Sequence, residues 1–133
     1  MPSAEGPLAG KRGLVLEDEF LIALDLEELL QAAGAEIVAM SRTEKALDAL
    51  RDQGPWDFAI LDRHLGNTTS ASVAAACADR NIPFVFLTGS RGSHGSQEAL
   101  PAAPVVEKPY QPDALIKAVV QLLAGGRHGS AAR

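Results

Sequence analysis

Short apolar runs alternate with longer stretches of helical periodicity along this chain. The runs are Gly13 to Leu16, Glu36 to Ala39, Phe58 to Leu61, Phe84 to Leu87, and Val105 with Val106, each bounded by polar, glycine or proline residues. The stretches between them leave room for a crossover helix, so the pattern predicts repeated βα units around a parallel sheet. Five such units can be counted, so the expected fold class is α/β.

Helical periodicity is clearest after the first run. Phe20, Leu21, Leu24, Leu29 and Leu30 recur at helical spacing, Gly34 is placed to end the helix, and Asp25, Glu27 and Glu28 are expected to face outward. A second helix is expected from Thr43 to Arg51, with Thr43 as its N-cap and Gly54-Pro55 beyond its end. A third spans Ser70 to Asp79 and is rich in alanine. The last begins at Gln111-Pro112-Asp113, where the first turn tolerates proline, and buries Leu115, Ile116, Val119, Val120 and Leu123. Between Thr88 and Val105 the expected fourth helix is weak or disordered. Gly89 to Ser96 holds three glycines and three serines, and only Gln97 to Leu100 offers a helical turn, too little to stand without tertiary help.

The ends look looser. Met1 to Gly10 reads as a flexible leader, 11–124 as the ordered domain, and Gly125 to Arg133 as a flexible tail. With 133 residues, the chain suits one domain burying roughly two thirds of the surface it exposes when unfolded. Its 47% apolar and 22% charged residues are those of a globular protein rather than a disordered one. The net charge of −5 excludes binding of nucleic acid by bulk electrostatics, which needs clustered Lys and Arg. Cys77 is the sole cysteine, so no internal disulfide forms; it is expected to be a small buried hydrophobe in a cytoplasmic protein. No segment approaches the roughly 20 apolar residues that span a bilayer, so neither membrane insertion nor export is expected. Trp56 is expected to pack at the start of the third strand.

The chemistry gathers where the strands end. Glu17 and Asp18 follow Leu14-Val15-Leu16, Asp62 follows Ile60-Leu61, Thr88 follows Leu87, and Lys108 stands after Val105-Val106-Glu107. In an open parallel sheet those carboxyl ends line one crevice. Three carboxylates there repel one another unless a cation sits among them, and Mg²⁺ suits a place with one or two carboxylates and phosphate oxygens. Phosphoryl transfer to aspartate needs positioning and charge neutralisation more than covalent chemistry. On that view Asp62 is the phosphoacceptor. Asp18, with Glu17 acting through water, holds Mg²⁺ together with Asp62 and the backbone carbonyl of His64. Lys108 pairs with a phosphoryl oxygen, and the Thr88 hydroxyl donates to another.

Taken together and in this order, Glu17-Asp18, Asp62, Thr88 and Lys108-Pro109 resemble the receiver domain of bacterial two-component response regulators, over Lys11 to Ala124. Pro83 to Gly89, Pro104 and Glu107-Lys108-Pro109-Tyr110 look more narrowly like the stand-alone receivers called the FAT GUY group, which is tied to general stress signalling. The resemblance implies a flavodoxin-like (βα)5 sheet of strand order 2-1-3-4-5 with helices on both faces, and phosphorylation of Asp62 by a sensor histidine kinase or a histidine phosphotransferase. Signalling then passes through an unknown downstream protein, or the domain acts as a phosphate sink. Its only implied catalysis is its own phosphorylation and dephosphorylation; many receivers dimerise through the fourth helix, and because that helix is weak here a monomer is expected. Two positions depart from the common receiver: Val105 replaces the usual aromatic switch residue, and His64-Leu65-Gly66-Asn67 replaces the usual proline and Asp-Gly after the phosphoacceptor. Ordering of the segment after Thr88 is the expected substitute for the missing coupling.

Two other classes compete. One is a receiver-like interaction module that works without phosphorylation, disfavoured because every residue needed for phosphorylation is present. The other is an enzyme on the same architecture. A phosphatase of the haloacid dehalogenase type wants a second acid two residues after Asp62, where His64 stands. A flavin phosphate would be repelled by Glu17-Asp18-Glu19, and no Gly-x-Gly-x-x-Gly supports a dinucleotide.

Overall fold

Alternation of side chains along each strand builds two cores at once. The computed structural model describes residues 5–65, 68–89 and 103–131, with residues 64–65, 68–69 and 126–131 as backbone only. Five parallel strands form the main sheet: β1 (Arg12–Leu16), β2 (Glu36–Met40), β3 (Phe58–Asp62), β6 (Phe84–Thr88) and β7 (Val105–Glu107), in the order β2-β1-β3-β6-β7. Each is one residue longer than its apolar run, because the ladder continues into a flanking residue, polar in every strand but β2, where it is Met40. Leu14, Leu16, Ala59, Leu61, Phe84 and Phe86 point to one face; Val15, Phe58, Ile60, Val85 and Leu87 point to the other. Both faces are covered, as a parallel sheet requires. Helices α2 (Thr43–Asp52) and α3 (Ala71–Asp79) close the first, and α1 (Phe20–Ala32) and α4 (Pro112–Ala131) the second.

Register brings the strand ends level. Leu16 pairs with Met40 and Leu61, Asp62 with Leu87, and Thr88 with Glu107. The residues that leave these positions therefore emerge at one edge, on either side of the point where the chain reverses its winding between β1 and β3. A two-stranded antiparallel hairpin, β4 (His64–Leu65) with β5 (Thr68–Thr69), follows β3; the apolar pattern held no trace of it.

Several expectations are corrected. The buried face of α1 is Leu26 and Leu30, with Ile22 and Leu29 half-buried. Phe20 and Leu21 are each 74% exposed, and Leu24 is 39% exposed. At about 100° per residue these three fall on one side of the helix, while Ile22, Leu26, Leu29 and Leu30 fall on the other, and it is the latter side that meets the sheet. Thr43 is the first residue of α2 rather than its cap, a place taken by Arg42. Ser70 caps α3 by position and is fully buried.

The leader is not loose where it is described. Leu8 is fully buried among Val15, Leu30 and Val119, and its N–H donates to Ala33 O at 2.8 Å. Two glycines permit this approach. Gly34, at φ +107°, ends α1 with Ala9 N 2.7 Å from where a Cβ would lie, and at Gly6 a Cβ would meet Ala33 O at 2.4 Å. At the other end, α4 continues through Gly125 to Ala131, past the expected limit at Ala124. The expected weak fourth helix falls on 90–102, outside the described residues. Cys77 is fully buried against the α2 and α3 core, and burial pushes its thiol up to about 12, so it is a packed apolar group at neutral pH. Trp56 packs as expected, donating from Nε1 to Ala49 O at 3.1 Å.

Candidate functional site

The residues that follow β1 and end β3 are forced together by the pairing of those strands. Glu17, Asp18 and Asp62 each present a carboxylate oxygen, all within 4.8 Å of one another; Glu17 and Asp62 are buried and Asp18 is exposed. Burying two carboxylates side by side is costly without a cation. Lys108, projecting from the end of β7, supplies one. Its ammonium lies 3.0 Å from Glu17 Oε1, 3.5 Å from Asp62 Oδ1 and 4.0 Å from Glu19 Oε1. Burial opposes the lysine's charge, but hydrogen bonding and attraction to Glu17 and Asp62 outweigh it, and the pKa is raised.

The other oxygen of Glu17, Oε2, accepts from the backbone N–H of Glu19 at 3.0 Å. Glu17 thereby ties down one of the unpaired N–H groups at the start of α1 while holding Lys108. Thr88, which ends β6, is buried, and its carbonyl accepts from Lys108 N at 2.8 Å. The sheet thus gathers Glu17, Asp18, Asp62, Thr88 and Lys108 at one end. His64 begins β4 two residues beyond Asp62.

The donor set suits a small hard cation: oxygen ligands only, two of them buried and one open to water, which leaves room for retained waters. Lys108 occupies the same electrostatic niche, so the charge of the niche is balanced in part before any metal is considered.

One contact here had no signal in the sequence. The hydroxyl of Tyr110, two residues past Lys108, donates to Asp25 Oδ2 on α1 at 2.5 Å. Burial first, and then this bond to Asp25, raise the phenol's pKa. Tyr110 and Asp25 also border a cleft of about 500 Å³ that includes Leu21, Ile22, Lys108 and Pro109. On the other side of α1, Phe20, Leu24 and Met40 line a second hollow of about 330 Å³ beside Asp18. The exposed apolar ridge of α1 stands between them. Residues 85 apart in sequence, such as Asp25 and Tyr110, share no local pattern that could announce the pair.

No protein-family model matches the chain. Among solved structures, a response regulator receiver protein from Sinorhizobium medicae is 28% identical, with a TM-score of 0.77, covering 93% of this chain and 99% of that one. The response regulator TrrA of Thermotoga maritima, solved in complex with Mg²⁺-BeF, is 30% identical, with a TM-score of 0.73, covering 85% of this chain and 99% of that one. The phyllosphere-induced regulator PhyR of Methylorubrum extorquens is 32% identical over 111 residues, which are 80% of this chain and 41% of that protein. The chain therefore spans about two fifths of the length of that relative.

Proposed function

We infer a function from one premise: the chain belongs to the receiver domains of two-component response regulators. Asp62 accepts a phosphoryl group from the phosphohistidine of a sensor kinase or phosphotransferase. A carboxylate oxygen of Asp62 bonds to phosphorus as the donor's P–N bond breaks, and the departing imidazole takes up a proton. The observation that carries this reading is the position of Lys108, whose ammonium lies between Glu17 and Asp62, 3.0 and 3.5 Å away, beside the buried Thr88.

Each side chain has a task on this reading. Lys108 exchanges Glu17 for a phosphoryl oxygen, and the Thr88 hydroxyl donates to a second. Asp18 and Asp62, with Glu17 through water and the carbonyl of His64, would hold Mg²⁺, which when bound neutralises charge on the transferring phosphoryl group. The Mg²⁺-BeF bound to TrrA supports that ligand class by analogy. Phe20 and Leu21, exposed beside the site, give the phosphodonor protein an apolar place to dock. The domain passes its state to a downstream protein or drains phosphoryl groups as a sink. Resemblance to the FAT GUY receivers supports a role in cytoplasmic stress signalling.

Intact mass spectrometry after incubation with phosphoramidate tests the reading. Wild type should gain one phosphoryl group only when Mg²⁺ is present, and Asp62→Asn should gain none. Equal gain by the variant would move the acceptor elsewhere. No gain by folded wild type, with phosphoramidate or with a phosphorylated kinase, would favour an interaction module that works without phosphate.

A further inference from the structure

A lysine ammonium stands at the end of a flexible four-carbon stem, so its position is only as definite as the backbone beneath it. On one side of Lys108 the hold is secure, since its N–H closes the ladder to Thr88 O at 2.8 Å. On the other side the ladder stops. Pro109 brings no N–H, and regular bonding resumes only where Leu115 N reaches Gln111 O at 3.0 Å. Tyr110 stands in that gap. Its ring packs half-buried against the core cluster that contains Leu26 and Leu115, and its hydroxyl reaches Asp25 at 2.5 Å.

We propose that Tyr110, anchored on Asp25 of α1, is a positioning residue for Lys108, holding the turn after β7 so that the ammonium stays between Glu17 and Asp62. The phosphoryl-transfer part of this inference rests on the function proposed above. Helix α1 is the common frame: Glu17 and Glu19 lead into it, and Asp25 lies on its second turn. A phenol donating to a carboxylate makes a charge-assisted bond, shorter and stronger than a neutral one. Three carboxylates compete for the ammonium, and Glu19, 4.0 Å away and mostly exposed, is the one that would draw it out of the site. When Lys108 gives up Glu17 for a phosphoryl oxygen, Tyr110–Asp25 is a side-chain link that still joins the turn to α1.

Tyr110→Phe keeps the ring and removes only the hydroxyl, Asp25→Ala removes the acceptor, and Asp25→Asn keeps an acceptor oxygen. Competitive acylation of the whole chain, read by peptide mass spectrometry, compares labelling of Lys108 with that of the exposed Lys45 and Lys117. Lys108 labelling should rise about fivefold, the size of one hydrogen bond, in Tyr110→Phe and Asp25→Ala, and stay near wild type in Asp25→Asn. No rise, or a rise shared by Lys45 and Lys117, would overturn the proposal. Phosphorylation by phosphoramidate adds a second readout. Tyr110→Phe should slow it about fivefold when Lys108 is present and no further in a Lys108→Ala background; equal slowing in both backgrounds would also overturn it. If wild type takes up no phosphoryl group, the function reading fails, and the labelling result alone decides the role of Tyr110.

Discussion

At the amino-terminal end of the sheet Arg12 is engaged on every side, whereas at the carboxyl end three carboxylates share one lysine. Arg12 donates from Nε to Glu36 at 3.3 Å and from Nη1 to the carbonyls of Gln53 and Pro55. Its guanidinium lies 4.0 Å from the centre of the Trp56 ring, and its backbone N–H donates to Asp57 at 2.8 Å. Beneath it the strap through Leu8 closes the core that lies under α1. That end is closed by complementary partners. The other end keeps Glu17 and Asp62 buried beside Asp18 with Lys108 as their cation, an arrangement that costs stability and that a phosphoryl group with a metal would resolve. The contrast teaches that one end holds the scaffold while the other, on the function proposed above, is held ready for a ligand, and conditions that stress the two ends should separate them.

The largest effect should come from breaking the closed end. Leu8→Ala removes a fully buried side chain and should cost about 3 kcal/mol in urea unfolding, while molecules that remain folded take up phosphoryl groups as wild type does. A cost below about 1 kcal/mol would mean the strap is dispensable and the leader loose after all. Relieving the open end should be next. Mg²⁺ at about 100 times its Kd should add about 2.7 kcal/mol of stability, seen as a concentration-dependent rise in Tm. Asp18→Asn should blunt that rise and, without metal, lift Tm by about 2 °C through lost repulsion. An unchanged response to Mg²⁺ in Asp18→Asn would remove Asp18 from the ligand set.

The smallest effect concerns Tyr110, the sole tyrosine, so tyrosinate absorbance reports it alone. Burial and Asp25 raise its pKa above the ordinary 10.0, so the fold favours the neutral phenol. The stability it lends is therefore present below pH 10.0 and is lost as pH rises through the folded value. Tyrosinate should appear late in wild type and earlier in Asp25→Ala. Ionisation of wild type at the ordinary value would show that the bond to Asp25 is not kept in solution.

Much of this was legible in the chain. Five apolar runs located the five strands of the main sheet to within a residue or so, because short apolar runs and the glycines and prolines that punctuate them are local properties. Glu17, Asp18, Asp62, Thr88 and Lys108 could be placed at strand ends for the same reason, and parallel pairing then left them one edge to share. Helix α1 was read less well: apolar spacing alone gave Phe20, Leu21 and Leu24 to the core, whereas docking on the sheet turned the side carrying Ile22, Leu26 and Leu30 inward. The leader was misread because Gly6 looks like flexibility in sequence and is a close approach in space.

By itself the sequence determined the strands of the main sheet, the helices that cover it and the chemical inventory of the site, since all of these follow from neighbours a few residues apart. Tertiary structure alone decided that Lys108 sits closer to Glu17 than to Asp62, that Tyr110 reaches Asp25, that Arg12 stacks on Trp56, and that Leu8 closes the core. The physical reason is the same in each case. These contacts join residues far apart along the chain, and their distances are fixed by strand register and helix docking, which no local pattern records.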